Sequence, residues 1–253
     1  MSDEVIVITG ANSGLGLGLV RALTASGARV VGLDLSVENL PRDSAFVCDV
    51  TDSVQVRDTL ASIIDQWGRI DILVNNACLA VFAPFQEKDL ADTRREFEVN
   101  YFGYLNMISA VLPYMKARGA GIIHNVSSTV GSSGFAGIYG YASTKGAIDA
   151  LSRTLAIELG PYGITVNIVQ PPLMRTPSAR PLGVPAQFMA DPDAVATKLA
   201  RRIGSRKPVV APGIGGALGA FMARVIPGPM GRLMSERAAA ARSAEAQPGE
   251  DGS

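Results

Sequence analysis

Val5-Ile6-Val7-Ile8-Thr9-Gly10-Ala11-Asn12-Ser13-Gly14-Leu15-Gly16 is the stretch on which the reading of this chain turns. Its short run of β-branched apolar residues suits a strand buried on both faces. The glycines that follow permit a tight turn and a close approach of the backbone to a ligand, and residues 17–26 continue as an amphipathic helix. A helix N-terminus so placed presents unpaired N–H groups and a partial positive charge to a pyrophosphate. Three glycines at this spacing arise by chance in roughly 0.3 of such chains, so the motif draws its weight from the strand before it and the helix after it. A plain strand-to-helix turn is the alternative.

Outward from this stretch the same alternation repeats. Apolar runs at 5–8, 29–33, 45–47, 70–74, 122–126 and 164–169 read as strands, and residues 54–66 and 146–158 read as crossover helices. The expected fold is α/β, a doubly wound parallel sheet in one domain over residues 1–212. Residues 171–193, rich in Pro, Ala and Met, read as a substrate flap, followed by a helix at 194–203 and a strand at 209–211. Residues 213–236 form an apolar helical extension, and 237–253 a low-complexity tail expected to be disordered.

Composition removes several functions. The chain has 253 residues, 23 basic and 23 acidic, with 47% hydrophobic and 18% charged side chains. A net charge of zero leaves no electrostatic footprint for nucleic acid. One histidine (His124) and two distant cysteines (Cys48, Cys78) suit neither a usual metal site nor a disulfide scaffold. The acidic start leads straight into the first strand and no long uncharged apolar stretch occurs, so a cytoplasmic protein without a transmembrane segment is expected.

Two further features carry chemistry. Asp34 ends the second apolar run, about 20 positions past the glycines, where a carboxylate suits ribose hydroxyls and repels a 2′-phosphate. Neither Leu35 and Ser36 nor Ser13 offers a positive charge, so NAD(H) is expected in preference to NADP(H). Tyr141 and Lys145 stand at i and i+4 on one helix face, a pairing that chance would supply about 0.1 times in this composition. Ser128 follows the 122–126 run, where a strand delivers its hydroxyl to the ligand-binding edge of the sheet. An ordinary tyrosine has a pKa near 10, and making it a base near neutrality takes roughly 4 kcal/mol, which Lys145 and an oxidised nicotinamide could supply electrostatically.

Together these residues resemble the classical short-chain dehydrogenase/reductase family. The resemblance rests on Thr9-Gly-x-x-x-Gly-x-Gly16, Asp49, Asn75-Asn76-Ala77, Asn100, Ser128, Tyr141-x-x-x-Lys145, and Pro171 with Thr176, and it covers residues 4–211. It implies a Rossmann-like sheet and a catalytic set of Asn100, Ser128, Tyr141 and Lys145. Tyr141 would act as general acid/base, Ser128 would hold the substrate oxygen, Lys145 would reach the nicotinamide ribose, and Asn100 would hold a proton-relaying water. For the cofactor it implies Gly10, Asn12, Ser13, Gly14, Leu15 and Gly16 at the phosphates and Asp34 with Leu35 at the adenosine ribose. Asp49 and Val50 would lie near adenine, Asn76 and Ala77 along the adenosine path, and Pro171, Met174 and Thr176 at the nicotinamide. The family also implies pairing into a homodimer or homotetramer through the helices that hold Asn100 and Tyr141.

The chain departs from the family pattern in three places. Cys78 stands where the family has glycine, and Pro171-Pro172 where it has Pro-Gly. A Val-Asp-Gly-Gly-like C-terminal turn is replaced by the apolar extension, which resembles a subgroup acting on lipid-like or steroid-like substrates. Val81, Phe135, Ile138, Leu173 and Phe188 are the expected pocket walls, so the substrate partner is an apolar secondary alcohol or its ketone. Arg201, Arg202, Arg206 and Lys207 admit weak peripheral contact with anionic lipid, or simply complement a helix C-terminus. Besides NAD-linked alcohol–ketone interconversion, three readings stay open: an NADP(H)-dependent ketone reductase, a same-fold epimerase or dehydratase, and a dinucleotide-binding regulator without catalysis.

Overall fold

Side-chain alternation along β1 (Val5–Thr9) explains the layering of the molecule. In this computed structural model, which describes residues 3–182 and 184–245, all five β1 residues are buried. Ile6 and Ile8 point into one core and Val5 and Val7 into the other. A strand whose alternate residues feed two cores needs helices on both faces.

Those helices come in sequence between the strands. After β1 run α1 (Gly14–Ala25), β2 (Arg29–Asp34), β3 (Ala45–Val47), α2 (Ser53–Trp67) and β4 (Ile72–Asn75). Then come α3 (Leu90–Phe97), a π-helical turn (Glu98–Phe102), α4 (Gly103–Arg118), β5 (Gly121–Val126), α5 (Val130–Ser133), α6 (Tyr139–Leu159) and β6 (Ile164–Val169). The chain closes with α7 (Pro192–Ala200), β7 (Val209–Val210), α8 (Ile214–Val225) and α9 (Pro227–Glu245). Among the described residues the strands form one seven-stranded parallel sheet in the order β3-β2-β1-β4-β5-β6-β7. Strand order reverses between β1 and β4, which opens a crevice at their C-terminal ends.

Leu15, Leu19 and Leu23 of α1 and Val195 and Leu199 of α7 cover Ile6 and Ile8. Val56, Leu60 and Ile63 of α2 and Met107, Val111 and Met115 of α4 cover Val5 and Val7. Each such side chain contributes about 1.5–3 kcal/mol through burial. His124 shares the α1/α7 face with Ile122 and Val126 and is fully buried. Its ring nitrogens contact the Asn167 side chain and the Ile203 carbonyl, and burial outweighs both contacts to hold the imidazole below its usual range. It is a core histidine that ties the turn after α7 to the sheet.

Several expected elements differ in detail. α6 begins at Tyr139, ahead of the expected 146–158, so Tyr141 sits in its first turn. Segment 171–193 holds two 3-10 turns, Pro177–Leu182 and Ala186–Phe188, and folds back through a parallel bridge from Met174 to Ala190. The apolar extension breaks at Ile226-Pro227 into α8 and α9. The disorder expected from residue 237 onward does not begin there, because α9 runs to Glu245 through an alanine-rich stretch of strong helix formers. The rest of that tail, 246–253, lies outside the described residues. Among the described residues no helix is long and apolar enough to cross a membrane.

Candidate active site

The glycine loop joins β1 to α1 at the crevice, and β4 locks it in place. Gly10 and Gly14 hold φ values of 63° and 52°, where a side chain would be strained. A Cβ on Gly10 would come within 2.7 Å of the Ala77 Cα, and one on Gly14 within 3.2 Å of Thr176 Cγ2. Gly16 packs against the Gly10 carbonyl and the Asn76 amide. Asn76 Nδ2 donates to the Thr9 and Gly10 carbonyls, each at 3.0 Å, and the Asn76 and Ala77 N–H groups donate to Thr9 Oγ1, also at 3.0 Å. Ser13 caps α1 in extended backbone without a side-chain capping bond, which leaves the first-turn amides available to an anion.

Asp34 marks the adenosine side. One carboxylate oxygen accepts the Asn12 N–H at 2.9 Å and the other the Leu35 N–H at 2.8 Å, while the Leu35 side chain stands exposed beside it. Sequence reasoning missed Asn39, whose backbone N–H donates to Asn12 Oδ1 and whose Nδ2 donates to the Asn12 carbonyl. The reciprocal amide pair is what a search for charged residues overlooks. Asp49 accepts from the Thr51 N–H and hydroxyl in the turn before α2, and buried Val50 packs against Gly103.

At the other end of the crevice β5 and the start of α6 deliver the reactive groups. Ser128, just past β5, lines the same cleft as the Tyr141 phenol and acts on it. Burial pushes that phenol well above the ordinary tyrosine range, the Cys78 thiol adds to the rise, and the Ser128 contact opposes it. Lys145, one turn along α6 and 1% exposed, donates to the Val126 carbonyl at 2.8 Å with its Nζ 5.5 Å from the Tyr141 ring centre. Burial is thus the largest influence on the phenol in this structure. The Asn100 amide accepts the Leu79 N–H at 2.7 Å and donates to the Leu79 carbonyl at 2.8 Å and Thr144 Oγ1 at 3.1 Å. It braces the loop after β4 against α6 from within the protein.

Between that loop and α3 lies a buried ion pair that the sequence did not reveal. Lys88 Nζ and Glu96 pair with side chains that are both 0% exposed. Lys88 Nζ donates to the Val81 carbonyl at 3.0 Å and Glu96 accepts the Val81 N–H at 2.8 Å. Both groups occupy the space that a Cβ on Gly140 would take, beside Tyr141. Charged residues eight apart look like a solvated surface until the loop folds over them.

One cleft of about 410 Å³ joins the two ends. Gly10, Ser13, Gly14, Leu15 and Asn76 line it, as do Ser128, Tyr141, Lys145, Pro171, Met174 and Thr176. Of the expected pocket walls, Phe135, Ile138 and Leu173 face it, as do Phe82 and Leu182 of the same segments, and Met234 joins them from α9. Val81 is not among the lining residues, since its peptide is bound by Lys88 and Glu96, and Phe188 stands 67% exposed outside the cleft. Residues that a Cβ would crowd at Gly10 and Gly14, opening into the same space as Tyr141 and Lys145, fit a nicotinamide dinucleotide.

Comparison with known proteins agrees with this geometry. The short chain dehydrogenase family model matches residues 4–184. The 3-ketodihydrosphingosine reductase of Bacteroides thetaiotaomicron is 36% identical over 172 residues, 68% of this chain and 64% of that protein, so the match spans less than two thirds of that relative. The oxidoreductase UcpA of Escherichia coli is 36% identical over 236 residues, 88% of each chain. A short-chain dehydrogenase from Streptomyces avermitilis superposes over 100% of both chains with a TM-score of 0.77 at 30% identity. With its glycine cradle, Ser128, Tyr141 and Lys145 on one cleft, this chain belongs to the short-chain dehydrogenase/reductase family of NAD(P)-dependent oxidoreductases acting on CH–OH groups.

Proposed function

We propose that this protein interconverts an apolar secondary alcohol and its ketone with NAD(H). The observation that carries the reading is the apolar far wall of the cleft, where Phe82, Phe135, Ile138, Leu173 and Leu182 surround the approach to Tyr141. Gly10, Ser13 and Gly14 would hold the phosphates of a bound NAD(H), and Pro171, Met174 and Thr176 its nicotinamide, where it would supply or accept the hydride. Ser128 holds the substrate oxygen against Tyr141. In the reductive direction the Tyr141 hydroxyl gives its proton to that oxygen as the carbonyl becomes an alcohol, and in oxidation the phenolate takes it back. Lys145 sits close enough to stabilise the phenolate once its proton has left. Asn100 is a positioning residue that acts through Leu79 and Thr144.

Asp34 supports NAD(H) over NADP(H): its carboxylate is fixed by two backbone N–H groups where a 2′-phosphate would arrive. We include in this reading a cytoplasmic homodimer or homotetramer, which the exposed Phe102, Ile157 and Tyr162 near and along α4 and α6 support. The test is a panel of aliphatic, steroid-like and sugar ketones assayed with NADH and with NADPH. NADH consumption with the apolar ketones is the expected result. Activity confined to sugars, or a preference for NADPH, would overturn it.

A further inference from the structure

We propose that the C-terminal helix pair is the closing wall of the substrate pocket, and that Met234 sets the size of apolar substrate admitted. Met234 of α9 lines the same cleft as Tyr141, Phe135 and Leu182. It reaches that place because α9 is pinned to the turn between α5 and α6. Gly231 lies so close to the Ser133 and Gly134 carbonyls that a Cβ there would overlap them. Ser235 Oγ accepts the Ala136 N–H at 3.0 Å and donates to the Gly231 carbonyl at 2.8 Å. The pinned turn is itself pocket wall, since it carries Phe135 and Ile138. So α9 adds one wall residue and steadies two others.

A second anchor lies at the end of α8. Arg224 reaches the Asp149 carboxylate of α6 at 3.6 Å. The Asp149 side chain is 3% exposed, and neither of its oxygens has a hydrogen-bond partner among the described residues. A buried carboxylate deprived of its cation is costly, so Asp149 holds α8 against the helix that carries Tyr141 and Lys145. The family match ends at residue 184, so this wall comes from chain beyond it. The matched part supplies the reaction and the extension selects what enters. A methionine suits that task, because its unbranched thioether adapts to irregular apolar shapes.

The inference takes its substrate class from the proposed alcohol–ketone reaction, and the experiment separates the two. Met234→Ala, Met234→Trp and the exposed neighbour control Leu233→Ala are compared with the parent in the full-length chain. kcat/KM is measured for short and bulky apolar ketones with NADH. Calorimetric titration of the same ketones into the enzyme–NAD+ complex reads size selection without turnover. Met234→Ala is expected to raise the bulky-to-short ratio about tenfold and Met234→Trp to lower it about tenfold, with Leu233→Ala unchanged and NADH affinity kept. Parental ratios in both Met234 variants, by kinetics and by calorimetry, would overturn the assignment. Parent enzyme that turns over no ketone, yet binds them with the Met234-dependent ratio, would overturn the proposed reaction and uphold the wall. Parent that neither turns over nor binds any ketone would overturn both.

Discussion

The two ends of the cleft are built by different means. At the β1–β4 end the shape is made by backbone: two glycines at positive φ, the first-turn amides of α1, and an asparagine that binds the loop's own carbonyls. At the far end it is made by apolar side chains gathered from the loops after β4 and β5, the 171–193 segment and α9. A phosphate-binding surface has to match a fixed anion, so its geometry is specified locally and leaves a motif in the sequence. An apolar wall needs only volume and exclusion of water, and many residues in many places can supply these. The difference teaches that binding of the dinucleotide and choice of substrate rest on separable structures within one cleft.

The sharpest way to break that comparison is the buried pair under the far end. Lys88→Ala leaves the fully buried Glu96 carboxylate without its cation, and the expected loss is about 3–5 kcal/mol in urea unfolding. The double variant Lys88→Met, Glu96→Leu should recover most of that stability yet keep a reduced kcat/KM, because the Val81 peptide loses both its partners. If the ends are separable, NADH affinity in the double variant stays within about twofold of the parent. A parallel fall in NADH affinity would merge the two halves into one unit.

A smaller effect is expected at the other end. Asp34→Ala removes the carboxylate that Asn12 and Leu35 hold, and should raise the NADP-to-NAD ratio of kcat/KM about tenfold or more while the ketone size preference stays put. A changed ketone preference would show that the ends communicate. The smallest effect belongs to His124, which lies beneath α7 and serves neither end. Its folded pKa is depressed, so the unfolded chain takes up the proton first as pH falls. Stability should therefore decline as pH drops below about 6.5, by at most about 1.4 kcal/mol per pH unit, until the folded imidazole protonates as well. Unfolding of His124→Gln across the same range should lack this slope.

How far the sequence could be read follows the same division. The parallel sheet, its strands, the glycine loop, Asp34 and the Ser128/Tyr141/Lys145 set were legible, because each depends on spacing within a few residues or on one strand end. Asn100 was found by resemblance, but its contacts with Leu79 and Thr144 depend on how the loop after β4 folds over the π-helical turn. Val81 and Phe188 were placed on the wall by segment, and the direction of a loop side chain is set by tertiary contacts that leave no period. Met234 could not be foreseen, since nothing in an apolar C-terminal run indicates which turn of helix returns to the cleft. Lys88 and Glu96 looked like surface charge for the same reason.

On this reading Tyr141 moves the proton while the rest of the cleft holds cofactor and substrate in place. Single-turnover consumption of NADH by Tyr141→Phe with a saturating apolar ketone tests it, with NADH binding followed by fluorescence in the same samples. The expected result is a fall in rate of about 10³-fold with NADH affinity within about twofold of the parent. Turnover retained within about tenfold of the parent would contradict it.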